Sequence, residues 1–221
     1  MFEAAEGRLR ESASSDLPAL HVLDVASDRL GWVLTRAGSE AVTEDPPPGS
    51  YERAKALLYV GLLAVRIARA AMAVMVNGYE PETLTYKRTL LELHSRARRI
   101  VDDQSGEYAR QWLKGRAGKP AGNLRDVPSG MWETLSHSSH ADYRAVENFL
   151  AVSKSDGTGL VLLPERRADL ANATLATMAG EIRDVAGLIA REHDLAIPDW
   201  TELSALVKQT LITHLGDDDE L

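Results

Sequence analysis

The chain has no cysteine among its 221 residues. That excludes disulfides, thiolate metal sites and cysteine nucleophiles, and it suits a reducing compartment such as the cytoplasm. Aromatic residues amount to only 5 %, so Leu, Ala, Val and Ile have to build the core. The start, MFEAAEGRLRESASSDLPAL, lacks the basic segment and apolar run of a secretory signal. Long apolar runs are scarce as well. The one stretch of spanning length, Leu57 to Val76, carries Arg66 and Arg69 near its middle. Each costs about 2.5–3.5 kcal/mol on insertion scales, so the expectation is a helix of a soluble bundle, with no membrane partner. Complete catalytic signatures are missing too. Gly115-Arg-Ala-Gly118-Lys119-Pro120 has the wrong spacing for a phosphate loop, with Pro where Ser or Thr is needed. There is no Gly-x-Ser-x-Gly elbow and no dinucleotide fingerprint. No cofactor is expected.

What remains is ordinary globular material, 44 % hydrophobic and 26 % charged. Its apolar spacing is helical almost throughout. Residues 1–15 look frayed. A first helix is expected from about Leu17 to Arg36, then a stiff connector ending in Pro46-Pro47-Pro48-Gly49. Ser50 is expected to cap a long helix to Val76, stopped by Asn77-Gly78. Pro81 opens the next, to about Asp102, and the short link implies an antiparallel hairpin. A shorter helix spans about Gly106 to Lys114, followed by a Gly- and Pro-rich loop to Pro128. Helical pattern resumes from about Gly130 to Leu150 with a break at His137–His140. Val152 to Leu163, with Asp156-Gly157, suggests a small hairpin. Two further helices are expected, from Glu165 to Glu192 and from Asp199 to Gly216.

The fold class is therefore all-α, a multi-helix bundle with long antiparallel helices and at most one short β-hairpin. It divides into residues 1–49 (first helix and connector), 50–163 (central helical domain), 164–216 (a C-terminal helical pair on the same core) and 217–221 (an acidic tail).

The net charge of −8 argues against a general nucleic-acid binder. Yet Leu84 to Asp126 holds ten basic and five acidic residues. A solvated helix face explains such a run; so does a local footprint for RNA or another phosphate-bearing ligand.

Two polar segments stand out. On the helix of Arg88, the core stripe is Tyr86, Leu90, Leu93, Ala97, Ile100 and Val101, while Arg88, Glu92, Ser95 and Arg99 gather opposite. Arg88 and Glu92 suit an i,i+4 ion pair, and His94 sits at the stripe's edge. The second segment is Leu135-Ser136-His137-Ser138-Ser139-His140. Its hydroxyls and imidazoles suit an anion at a helix start, or a structural helix break. A metal set from Glu133, His137, His140 and Asp142 lacks the paired Glu-x-x-His helices of di-iron bundles, and no metal is assigned.

These motifs carry a resemblance. Arg88-x-x-x-Glu92, Tyr108-Ala-Arg-x-Trp112, the block Leu135-Ser136-x-x-x-His140 and a turn into Leu-x-Leu-Leu-Pro resemble an uncharacterised family of bacterial all-helical domains, over about half the chain. Arg88 and His94 are also loosely similar to the Arg-x(4–6)-His hallmark of HEPN domains. That likeness implies a bacterial, dimeric, metal-independent ribonuclease of toxin or phage-defence type. The leading expectation is that the Arg88/Glu92 face and the Ser136–His140 segment line one polar cleft, with Arg88, His94 and His140 as the catalytic candidates and Glu92, Ser136, His137 and Arg99 as the binding candidates. The competing expectation is a non-catalytic binding or assembly module.

Overall fold

In a computed structural model of the chain, the residues described are 2–39, 49–118, 151–152, 160–161 and 168–215. Among them are seven helices and one minimal strand pair: α1 Phe2–Asp16, α2 Ala19–Ser39, α3 Ser50–Val76, α4 Glu80–Asp102, α5 Glu107–Leu113, β1 Ala151–Val152, β2 Leu160–Val161, α6 Ala168–Glu192 and α7 Thr201–Leu215. The strands are antiparallel, Ala151 opposite Val161 and Val152 opposite Leu160. The architecture is an all-α bundle.

The start of the chain differs from expectation. Phe2–Asp16 is a helix rather than frayed chain, built on the good intrinsic propensities of Ala, Glu, Leu and Arg. It turns into α2 at Leu17-Pro18, and Leu17 is buried. Asn172, on α6, holds this corner from across the core. Its Oδ1 accepts from the Ala19 N–H at 3.1 Å, and its Nδ2 donates to the Asp16 carbonyl at 2.8 Å. One amide thus satisfies an orphan carbonyl at the end of α1 and an orphan N–H at the start of α2.

α3 ends as its Asn-Gly signal requires. Gly78 has φ +84°, its N–H bonds to Met75 O at 3.0 Å, and Tyr79 N–H bonds to Val74 O at 3.1 Å. This pair of bonds is the Schellman arrangement, which favours glycine at the left-handed position. The start differs from expectation: Gly49, at φ +79°, is the cap, and Ser50 makes no capping bond. Gly49 abuts Gly106, the cap of α5; a Cβ on Gly106 would come within 2.6 Å of the Gly49 Cα. Two helix starts meet backbone to backbone there, which leaves no room for side chains.

α6 lies at the centre, packed against α2, α3, α4 and α7. Its buried residues include Ala171, Ala173, Ala176, Ala179, Ala186 and Ala190. Small side chains on several faces let four neighbours approach one helix at interior packing density. Leu34 of α2 and Ile189 of α6 both crowd Gly61 of α3. The pairs Asp28–Arg69 and Arg53–Glu192 show that α3 runs antiparallel to both α2 and α6. α3 and α4 are joined by the short Asn77-Gly78-Tyr79 link and form the expected hairpin, so α4 and α6 run in the same direction. α3 is long and apolar enough to cross a membrane by length and composition. Here one face lies in the core and the other points outward.

Candidate functional site

Among the described residues, two of the three buried basic side chains, Lys87 and His94, lie in the seam between α4 and α6. The α4 stripe is in the core as its spacing dictates, with Leu90, Ala97 and Ile100 fully buried. The same helical arc also carries Thr83, Lys87 and His94, all buried. From α6, Glu181 enters the seam and meets the His94 ring at Nδ1. Arg98, an exposed residue one turn beyond His94, donates from Nε to His94 Nε2 at 3.1 Å. Nε2 is therefore the lone-pair nitrogen and Nδ1 carries the proton facing the carboxylate, the tautomer in which a carboxylate orients an imidazole base.

Lys87 lies two turns before His94 on this arc. Burial pushes its ammonium pKa down to about 8, and the Glu181 charge pulls it partly back. Desolvation prevails because the side chain is only 7 % exposed.

Arg88 donates to Glu92 at 3.2 Å, the expected i,i+4 pair. Both side chains are half-buried, so the face that sequence spacing places opposite the core is partly covered. Arg88 and His94 sit about 120° apart around α4; the helix does not turn them toward one point. Arg99 stacks over the Tyr108 ring at 4.5 Å, and Arg96 donates to the Tyr108 hydroxyl at 3.3 Å. The basic side of α4 thus packs onto α5. His140, Ser136 and His137 lie outside the described residues, as do Glu133 and Asp142. Among the described residues no group of three or more His, Asp or Glu has the geometry to hold a metal ion.

Lys87, Arg98 and Glu181 were not anticipated. Lys87 had a signal: it occupies a stripe position in the series Thr83, Lys87, Leu90, His94, Ala97. Glu181 had none, because it is 87 residues from His94 in sequence.

A second polar knot lies at the other end of α4. The buried Arg53 guanidinium donates to Glu192 at 2.8 Å and to the Gln104 carbonyl at 2.6 Å. Asp103 accepts from Ser105 Oγ, from the Tyr108 N–H and from the Ser105 N–H. Those donors, the Ser105 hydroxyl foremost, hold its carboxyl below the usual carboxylate range. Every group in this knot serves a helix end, so it is structural.

Comparison with known proteins adds no relative: no family model, no curated protein and no solved structure matches the chain.

Proposed function

We propose that the protein binds a phosphate-bearing ligand, RNA in the leading reading, along the basic side of α4, and that His94 is the acid–base group there. The observation that carries this reading is the Glu181–His94–Arg98 chain. A carboxylate orients the imidazole, and the lone pair of Nε2 accepts from the exposed Arg98 side chain. Arg98 moves from the ring onto a phosphate and exposes the base. Nε2 takes the proton of a ribose 2′-hydroxyl, and the 2′-oxygen attacks the adjacent phosphorus. The bond to the 5′-oxygen breaks, and that oxygen takes a proton from a general acid, the role assigned to His140 from its sequence. The products are a 2′,3′-cyclic phosphate and a 5′-hydroxyl end. Arg98 offsets charge on the phosphate, while the Arg88–Glu92 pair and Arg99 extend the basic surface on which neighbouring phosphates rest. The chemistry needs no metal, and its setting is a bacterial cytoplasm.

A specific observation favours the second reading, a non-catalytic assembly module. Both ring nitrogens of His94 already have partners, as a satisfied interior histidine should.

The deciding experiment incubates RNA with wild type and with His94→Ala, Arg88→Ala and His140→Ala, with and without a chelator. Cyclic-phosphate ends, unaffected by chelator and reduced roughly 100-fold or more in His94→Ala, are expected. Neither cleavage nor RNA binding by the wild type would establish the assembly module instead. Loss of cleavage with chelator alone would move the chemistry to a metal.

A further inference from the structure

Two buried basic side chains on α4 share one acid. Lys87 and His94 lie on the same arc, two helical turns apart less about 20°. α4 and α6 run in the same direction and His94 meets Glu181, so two turns back along both helices Lys87 lies level with Thr174. Thr174 is buried and its hydroxyl has no hydrogen-bond partner; that position brings no charge to Lys87. Lys87 is buried as well and makes no hydrogen bond among the described residues.

The acids of α6 are Asp169, Glu181, Asp184 and Glu192. Asp169 is exposed in the first turn, Asp184 holds Arg183 at 2.8 Å, and Glu192 holds Arg53. Glu181 remains. Its charge acts on Lys87, and its Oε2 already meets the His94 ring. Among the described residues the other neighbours of α4 turn no further charge into this part of the seam. The buried residues of α3 are apolar apart from Arg53, at the other end of α4, and those of α5 are Tyr108 and Ala109. On α4 itself Arg98 lies against His94 Nε2, and Arg88 is paired with Glu92.

Glu181 can neutralise one positive charge and not two, and a desolvated seam penalises an uncompensated ion. Burial pushes the Lys87 ammonium down to about 8, so it is still charged at pH 7. A proton on His94 would then set a second cation against one carboxylate, with the Arg98 guanidinium a third.

We infer that Lys87 is a positioning residue for His94: by drawing on the Glu181 carboxylate it holds the imidazole in its unprotonated, base form. This role rests on the reading of His94 as the acid–base group. The effect is one of timing. The ring stays a base until a phosphate lies alongside, and the phosphate charge then compensates the imidazolium that forms.

The test follows the His94 ring protons of the full chain by NMR through a pH titration, the signals assigned by their loss in His94→Ala. Two unit charges about 10 Å apart, the rise of two turns, move each other's titration by about one pH unit at an effective dielectric constant of about 20. In Lys87→Met the midpoint of the His94 titration should rise by about that amount. Lys87→Gln should repeat the rise if methionine disturbs the seam. Lys87→Arg keeps the charge and should keep the wild-type midpoint. No upward shift in the folded neutral variants overturns the inference. So does an arginine variant that shifts as far as the methionine one, because packing rather than charge would then be the cause. RNA cleavage gives a second readout: the acid limb of kcat/KM should move up with the ring midpoint in Lys87→Met. If the wild type cleaves no RNA while the midpoint still moves, the chemistry proposed above fails and the control of His94 by Lys87 stands.

Discussion

Lys87 shows what burial does to one charged group. Its pKa of about 8 lies well under the ordinary lysine value, so between about pH 8 and pH 10.5 the unfolded chain holds a proton that the folded chain has released. Stability must therefore rise with pH across that window, by roughly 2–3 kcal/mol in total. Below it both states are charged and the folded state bears the cost of the buried ammonium. Lys87→Met removes the titration. Denaturant unfolding from pH 7 to pH 10.5 should show wild type gaining on the variant, which is the more stable of the two at pH 7. Equal slopes for the two proteins would refute the assignment. His94 makes a complementary point at the same scale. Helical spacing put it at the edge of the apolar stripe, and only Glu181 and Arg98 give its two nitrogens separate roles.

Elements show how far spacing carries. The α4 stripe, the Asn77-Gly78 stop, Pro81 in a first turn and the α3–α4 hairpin were all legible, because each depends on residues within one or two turns of each other. The start of α3 was not legible. Ser50 is a good cap by type, yet the contact between Gly49 and Gly106 leaves the serine inside the first turn and gives capping to a glycine backbone. α1 was missed because its apolar residues are few; it is anchored by Ala13 and by the Asn172 bonds to the corner that follows. Helix-to-helix distance gives a sharper test. A Cβ on Gly61 would lie 2.6 Å from Leu34 Cδ2 and 2.8 Å from Ile189 Cδ1, two core side chains on separate helices. Gly61→Ala should gain helix propensity but overpack the α2–α3–α6 junction. The expected net result is a loss of about 1–2 kcal/mol, measured as a lower melting temperature.

At the scale of the whole molecule, Arg53 ties together segments far apart in the chain. It joins the first turn of α3 to the α4–α5 turn and to the last residue of α6. Both members of the Arg53–Glu192 pair are buried, with side chains 9 % and 10 % exposed. Removing one partner leaves the other as an uncompensated charge. Arg53→Ala should cost about 3–5 kcal/mol and lower hydrogen-exchange protection at the ends of α3, α5 and α6 together. Loss confined to α3 would show that the knot does not couple the three.

The amino-acid pattern alone determined the class of this protein. Apolar residues recur at the helical period, and signals such as Asn77-Gly78 and Pro81 mark where helices stop and start; such rules act over a few residues and need no neighbour. Tertiary structure decided which helix is central, which polar residues are buried and which apolar ones are left outside. α6 became the hub because its alanines admit four neighbours. Glu181 met His94, and Glu192 met Arg53, through contacts between helices distant in sequence. Periodicity indicates that a residue faces inward; it carries no information about the partner waiting there.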